Sequence, residues 1–466
     1  MQDRFDAFSP IDFRFVGGDS ALYAALHPYL SEDGYVAHKA EVEGLLALAQ
    51  GEAGLIEPAI ARRIAEAARG IDAAAVAEEE KKTRHDVRAL VNVICAKLRP
   101  EDARFVHLGA TSYDIVDTAN SLRYKRAVER IVLPRLGALA ARLIALAEAE
   151  AETPQIGRTH GRHAEPITFG FAMAEYVARL GGRIEKLKEA AGVLPGKLSG
   201  AVGAYNALGL LVVDPRALEI AFLKRVGVKR GGSSTQIVEP EGWTDLAHAC
   251  ATAMGVMANL ADDLRNLQRT ELGEITESFS EDQVGSSTMP HKRNPVSFEN
   301  AKSLWKVAAP RVMTTYLDQL SDHQRDLTNS ASQRLLGELV AIVAYTAGRL
   351  ADSLEGMRVD REKMRANLLL SKGQIVAEPL YVLLAKYGLP QAHETVRRLT
   401  LEAERAQQSV LQVALHDEEL RATIAKLAPE ERRALEQPET YRGLSAEVAR
   451  DVAALWRRKL KGVLPE

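Results

Sequence analysis

Apolar residues along this chain recur at steps of three and four, the spacing that lines one face of a helix. At first the runs are short. Up to about Ala110 they predict helices over Val36–Gln50, Pro58–Gly70 and Ala74–Leu98, with turns at Gly17-Gly18 and Asp33-Gly34. The pattern then lengthens. Runs over Thr118–Glu152, Thr168–Val193, Trp243–Glu274, Pro295–Gln319 and Arg334–Met357 predict five helices of roughly 25 to 35 residues, well above the mean of about 11. Pro134 is placed to kink or interrupt the first of them. Helices this long bury their apolar faces by packing lengthwise in a bundle. One is apolar beyond a single face: Ala247, Ala251, Met254, Ala258 and Ala261 line one side, and Val256 and Met257 lie outside it. That breadth points to contacts between subunits as well as within one. The last segment returns to shorter helices at Gly373–Tyr387, Ala392–Ala414, Asp417–Ala425 and Ser445–Lys461, bounded by Pro390, Pro429 and Pro438. A β-like pattern is nearly absent, with Gly209–Val213 as one short exception. The expected fold class is all-α.

Composition agrees. Aromatic residues make up 5 %, while the helix formers Ala, Leu, Glu and Arg are abundant. The chain has 466 residues, and single cores stop growing near roughly 250, so two or three domains are expected. Its 60 basic and 63 acidic residues leave a net charge of −3, which gives no electrostatic case for a nucleic-acid or membrane partner. A small anion could still be held by a few converging arginines. Cys95 and Cys250 are far apart and form neither a disulfide framework nor a cysteine-based metal site. Free thiols in a reducing, cytoplasmic setting are expected. The stretch Met1 to Pro10 is polar and acidic, unlike a signal peptide. No stretch reaches the about 18 uncharged apolar residues of a membrane span.

The most informative segment is Gly285-Ser286-Ser287-Thr288-Met289-Pro290-His291-Lys292-Arg293-Asn294-Pro295, between two expected long helices. Gly, Ser and Pro disfavour helix there. A plain linker rarely gathers two serines, a lysine and an asparagine ahead of a proline-started helix. This segment resembles the signature loop of the fumarase/aspartase superfamily, whose members eliminate fumarate from succinyl compounds. Within it, further segments resemble the adenylosuccinate lyase family: Ser9–Phe15, Thr83-Arg84-His85-Asp86-Val87, His107–Asp114, Gly157-Arg158-Thr159-His160-Gly161, Gly200–Gly203, Thr235-Gln236-Ile237 and Arg325–Ser330. They keep the family's order and run to about Arg334.

The resemblance implies a three-domain helical fold, with an N-terminal domain at 1–112, a central long-helix bundle at 113–364 and a C-terminal domain at 365–466. It implies a homotetramer around a twenty-helix core, with each active site drawn from three subunits. It implies a carbon–nitrogen lyase of purine biosynthesis. Such an enzyme takes fumarate from adenylosuccinate to give AMP, and from the succinylated aminoimidazole carboxamide ribotide. No cofactor and no metal are expected. His160-x-x-His163 has the spacing of a metal pair but lacks an evident third ligand.

Elimination needs a base for the carbon-bound proton and an acid for the departing nitrogen. The resemblance makes Ser286 the base and His160 the acid. A serine hydroxyl is a poor base until its surroundings activate it, whereas histidine suits proton exchange near neutrality. Lys292 and Asn294 match positions that hold the succinyl carboxylate, where fixed donors stabilise the carbanion. Ser287, Arg293 and Asn300 match further substrate positions. Thr111 and Ser112 match positions that bind the succinyl carboxylate, and Thr-Ser-Tyr-Asp also reads as a helix N-cap; both readings can hold, because helix N-termini bind anions. His85, flanked by Arg84 and Asp86, matches a position near the substrate phosphate. Arg14, Phe15, Gln236, Arg325, Ser330 and Arg334 match nucleotide contacts.

Three departures bear on the substrate. Phe15 stands where the family often has Tyr, Arg162 where it usually has Gln, and Glu239-Pro240-Glu241 where many members carry an Arg. A lyase acting on another succinylated amine or a nitrosuccinate-like compound would keep the loop and His160 but vary such contacts. A non-enzymatic helical scaffold would have no use for the loop's polar cluster.

Overall fold

The computed structural model describes residues 9–279 and 285–465. The first eight residues of the acidic N-terminal stretch, and positions 280–284 ahead of the signature loop, lie outside the described residues. Regular structure is almost entirely helical. The described residues add three two-stranded ribbons: Pro154–Thr159 antiparallel to Arg162–Thr168, Pro195–Gly196 parallel to Lys229–Arg230, and Ile275–Thr276 antiparallel to Arg358–Val359.

The long helices Phe169–Gly192, Glu241–Leu267 and Leu336–Glu355 match the periodicity. Elsewhere the backbone interrupts it, for identifiable reasons. The run expected from Thr118 starts earlier, as Ser112–Ala127, then passes through a π-helical turn at Val128–Val132 into Leu133–Ala149. A proline lacks the N–H of the regular ladder, and the wider turn ahead of Pro134 absorbs that loss. Pro310 divides the run from Pro295 into Val296–Ala308 and Arg311–Leu317. Arg84, at φ 51°, divides Ala74–Leu98 into Ala73–Thr83 and Asp86–Cys95. Ala392–Ala414 also divides, because Gln407 adopts φ 55° and Ser409 caps a new helix at Val410–Ala414.

Two expectations fail outright. Gly209–Val213 is not a strand; Leu208–Leu210 forms a 3-10 turn, and Leu210 and Val213 face solvent without a ladder partner. Asp33-Gly34 is not a turn but the first turn of the helix Glu32–Glu52, where the Ser31 hydroxyl accepts the Gly34 N–H at 3.0 Å. Glycine is needed there for packing, since a Cβ would sit 2.4 Å from the Pro28 carbonyl oxygen. The helices Ser20–Leu30 and Pro215–Val226 and the Pro154–Thr168 hairpin carry no strong periodic signal and were not anticipated. The broad apolar surface of Glu241–Leu267 needs no second subunit to explain it, because Val256 and Met257 are buried within the chain itself.

The chain forms two compact units. One comprises Met1–Ala138, Gly182–Ala258 and Ala301–Arg349; the other comprises Leu139–Gly181, Asn259–Asn300 and Leu350–Glu466. The first unit has an N-terminal core around Ile64, Leu90 and Ile94, and a second around Ile115, Leu198 and Phe222. The second unit has a core around Leu380, Leu384 and Val410. Among the described residues, no single helix is long and apolar enough to cross a membrane.

In the first unit, the helix Ser112–Ala127 starts on a fully buried carboxylate. Asp114 accepts the Thr111 N–H at 2.8 Å, the Ser199 N–H at 3.1 Å and the Gly200 N–H at 3.2 Å. It also pairs with the ammonium of Lys197, equally buried. Removing one partner of a buried pair strands the other charge. Lys197→Met is therefore expected to lower unfolding free energy by about 3–5 kcal/mol in urea titration. A loss below about 1 kcal/mol would show that the pair is dispensable.

Candidate active site

A cavity of 390 Å³ in the first unit is lined by residues from five separate segments. Its first wall comes from the break in the N-terminal helical run. Arg84 adopts a left-handed conformation, and His85 caps the helix Asp86–Cys95, its Nδ1 accepting the Arg88 N–H at 3.4 Å. A neutral ring in that arrangement carries its proton on Nε2. Nε2 lies 3.3 Å from the Ser112 hydroxyl, so the two meet across the cavity's edge.

Beside them sits Asp86. Burial pushes its carboxyl up, but the Lys39 ammonium 3.0 Å away outweighs this and holds it below the usual carboxylate range. Lys39 is itself buried, 4.1 Å above the Tyr35 ring. Arg123 approaches the same ring at 4.5 Å and Arg334 at 5.9 Å. Burial of Tyr35 pushes its hydroxyl well above the ordinary phenol value, so it stays neutral.

The second wall is the capped start of Ser112–Ala127, with Thr111, Ser112 and Tyr113. Helix starts of this kind present N–H donors to anions. A third wall carries Gln236. Its segment is held by Val238, whose N–H donates to Asp117 Oδ2 at 2.9 Å, and by Gly203, at φ 77°. A Cβ at Gly203 would lie 1.9 Å from the Ser234 carbonyl oxygen, so only glycine fits. Leu327, Ser330, Gln333 and Arg334 complete the lining.

The structure thus gathers eight of the expected contacts around one cavity: Arg84, His85, Asp86, Thr111, Ser112, Gln236, Ser330 and Arg334. Arg14, Phe15 and Arg325 belong to the same unit but do not line it. Arg14 is exposed, and Phe15 packs edge-on against Tyr345 with ring centroids 5.8 Å apart. Arg325 adopts φ 79° and donates to the Ser321 hydroxyl at 3.1 Å. Sequence reasoning missed Tyr35, Glu80, Asn120 and Arg123, which line the cavity, and Lys39 buried behind them. Each reads as an ordinary helix position, and only the fold brings it to this place.

The second unit holds the remaining candidates. His160 and Gly161, at φ 53° and 74°, form the two-residue turn of the Pro154–Thr168 hairpin. Two successive positive φ values are the signature of a type I′ turn, whose twist suits the flanking strands. His160 is exposed at the tip. The first strand is anchored by Glu274, fully buried, which accepts Gln155 Nε2 and Asn367 Nδ2 at 2.8 Å each and pairs with Arg158. Burial, followed by the Arg158 guanidinium, pushes His163 below its usual value. Among the described residues, no group of three His, Cys, Asp or Glu side chains is placed to hold a metal.

The signature loop in this unit is pinched at its base. Asn294 Nδ2 donates to the Gly285 carbonyl at 2.8 Å, and a Cβ at Gly285 would sit 2.2 Å from the Lys292 carbonyl oxygen. Ser286 Oγ accepts the Met289 N–H at 3.1 Å. Ser287 and Lys292 are exposed, and Arg293 lies over the Phe279 ring at 5.0 Å. Glu277 accepts the Ser297 N–H at 3.1 Å and so caps the helix that follows. Asn300, one turn into that helix, keeps a buried Oδ1 that meets no partner among the described residues.

The chain matches the lyase family over residues 14–313 and the adenylosuccinate lyase C-terminal family over residues 321–435. An adenylosuccinate lyase from Pyrococcus horikoshii is 35 % identical over 96 % of this chain and 97 % of its own. This chain belongs to the adenylosuccinate lyase family. An N-acetyl-S-(2-succino)cysteine lyase from Enterococcus italicus is 31 % identical over 94 % of this chain and 95 % of its own. The crystal structure of the 3-carboxy-cis,cis-muconate lactonizing enzyme from Pseudomonas putida superposes with a TM-score of 0.81 at 26 % identity, covering 93 % of this chain and 97 % of that one. The C-terminal match carries the family likeness past Arg334, where the motifs end.

Against the adenylosuccinate lyase pattern, the Glu239 departure has a structural reason. Its Oε1 accepts the Gly232 N–H at 2.6 Å and closes the loop that bears Gln236. Asp117, which holds the same end of that loop through Val238, is fully buried, and burial pushes its carboxyl up to about 7 against the pull of the Val238 N–H and Lys197. A carboxyl raised in the fold binds its proton more tightly folded than unfolded. Its contribution to stability therefore falls as pH rises from near the unfolded 3.8 toward about 7, and is level above that. Asp117→Asn should remove this decline, measured as the urea midpoint between about pH 5 and about pH 8. Parallel pH profiles for variant and wild type would contradict it.

Proposed function

We propose that this family member is an adenylosuccinate lyase. It eliminates fumarate from adenylosuccinate to give AMP, and from the succinylated aminoimidazole carboxamide ribotide. The observation that carries the reading is the convergence of Arg84, His85, Thr111, Ser112, Ser330 and Arg334 on one cavity. That set is a cation- and hydroxyl-lined receptacle for phosphate or carboxylate oxygens.

His160 protonates the departing nitrogen, and Ser286 takes the carbon-bound proton. The Met289 N–H donating to Ser286 Oγ stabilises negative charge on that oxygen, which is what a serine base requires. Lys292 and Asn294 hold the succinyl carboxylate onto which the carbanion's charge spreads. Ser287, Arg293 and Asn300 contact the substrate, with Arg14, Phe15, Asp86, Gln236 and Arg325 on the nucleotide side. The enzyme is a cytoplasmic homotetramer with domains at 1–112, 113–364 and 365–466, and each active site takes residues from three subunits. Exposed apolar side chains in the first unit, Met313, Leu317 and Leu320 among them, support burial against another copy.

A second reading has one observation in its favour. The Enterococcus italicus relative is named for a succinylated thiol, so the same scaffold serves another leaving group. Fumarate release should be measured with adenylosuccinate, the aminoimidazole substrate, N-acetyl-S-(2-succino)cysteine and argininosuccinate in parallel. Release from both purine substrates alone is expected. Release from the thiol compound and neither purine would replace this reading with the second.

His160→Ala and Ser286→Ala should each lower kcat on the order of 10²–10⁴-fold with assembly intact, the range that general acid–base groups supply. Near-normal turnover in a folded variant would remove the corresponding role. Lys292→Ala should raise KM and lower kcat together; if neither moves, Lys292 does not hold the carboxylate.

A further inference from the structure

Asn120 lies on the helix Ser112–Ala127, lines the cavity and is 6 % exposed. One turn further along is Arg123, 5 % exposed, whose Nε donates to Asn120 Oδ1 at 2.8 Å. The guanidinium is itself fixed. It lies between the rings of Tyr35 and Tyr124, at 4.5 and 4.4 Å. It donates to the Tyr124 hydroxyl at 2.7 Å and to the Tyr29 carbonyl at 3.3 Å.

A guanidinium offers donors only. The end of the Asn120 amide that meets it must therefore be the oxygen, and the NH2 group is turned away from Arg123. Chemistry thus settles an orientation that an isolated asparagine would leave open. Asn120 lines the cavity, and among the described residues no acceptor meets Nδ2. Nδ2 keeps access to the cavity, and an acceptor held there completes its pairing. The surrounding donors Arg84, His85, Ser112 and Arg334 favour an anionic oxygen as that partner.

We propose that Asn120 is a specificity-determining substrate contact whose Nδ2 donates to an anionic oxygen, phosphate or carboxylate, of the ligand. This rests on the lyase reading, whose substrates carry both groups. Arg123, clamped by Tyr35 and Tyr124, is the positioning residue that keeps the donor facing the ligand.

Asn120→Asp tests it. The carboxylate keeps the shape and still accepts from Arg123, but sets a negative oxygen where the donor was. KM for adenylosuccinate should rise about ten-fold or more with kcat nearly unchanged, while thermal midpoint and oligomeric state hold. Asn120→Ala removes the donor without adding charge and should raise KM about five-fold, so a poorly folding Asp variant does not end the test. Calorimetric binding of inorganic phosphate and of fumarate separates the two sources. Weakened phosphate binding in the variants marks a phosphate contact, and weakened fumarate binding marks a carboxylate contact.

Unchanged KM and unchanged binding of both probes in folded variants would overturn the assignment, as would a loss of stability or kcat alone. The probes need no turnover. A wild type that loses probe binding on Asn120 substitution yet releases no fumarate from adenylosuccinate would leave this contact standing and overturn the proposed reaction instead.

Discussion

The cavity in the first unit depends on one buried carboxylate. Asp114 has no water to solvate it, so it is tolerable only with a complete set of partners. It finds them in the Thr111 N–H, two N–H groups of the 199–200 segment and the Lys197 ammonium. Each partner is also a constraint. The Thr111 contact fixes where the helix begins, and hence where Thr111 and Ser112 present themselves. The Lys197 contact fixes the backbone leading to Gly200 and Gly203. Gly203 packs on Ser234, and Asp117, one turn past Asp114, holds Val238. Two walls of the cavity are therefore set by charge burial, and the side chains on them need little positioning of their own.

The same economy governs the cavity's positive charge. Arg123, Arg334, Arg84 and Lys39 would repel one another if left bare. Lys39 is neutralised by Asp86 at 3.0 Å, and Arg123 is spread over two aromatic faces. Tyr35 is the common element, a neutral ring whose face takes up cations from several directions. The carboxylates that line the cavity are Glu80 and the already paired Asp86. Arg84 and Arg334 stay available for an anionic ligand, while Lys39 and Arg123 are committed to structure.

How far the sequence revealed this follows from the kind of signal each part leaves. The long helices repeat their apolar spacing many times, so they could be read directly, and the signature loop is contiguous. Breaks in the helices were harder. Arg84 and Gln407 end helices by adopting left-handed conformations that no residue type announces, and the π-helical turn before Pro134 leaves the periodicity almost intact. The His160 hairpin escaped notice because its strands occupy only Pro154–Thr159 and Arg162–Thr168, too short for alternation to stand out. Asn120 and Arg123 escaped for a different reason. Their meaning lies in which way an amide faces, and that is decided by rings from Tyr35 and Tyr124 that the helix pattern cannot place.

Backbone strain supplies an independent pointer to function. Eight non-glycine residues among those described adopt positive φ, and three of them, Arg84, His160 and Arg325, are residues that the family likeness assigns to substrate or proton transfer. Each such conformation costs roughly 1–2 kcal/mol and persists only where its surroundings overdetermine it. For Arg84 they do so through His85, which caps the next helix, and through the Lys39–Asp86 pair beside it. For His160 they do so through the ladder below the turn and the buried Glu274 that anchors its first strand. A flexible side chain on relaxed backbone would reach a substrate by losing rotamer freedom at the moment of binding. Here that ordering is set at folding, by carboxylates and ladders lying behind residues that the family likeness assigns to substrate or proton transfer.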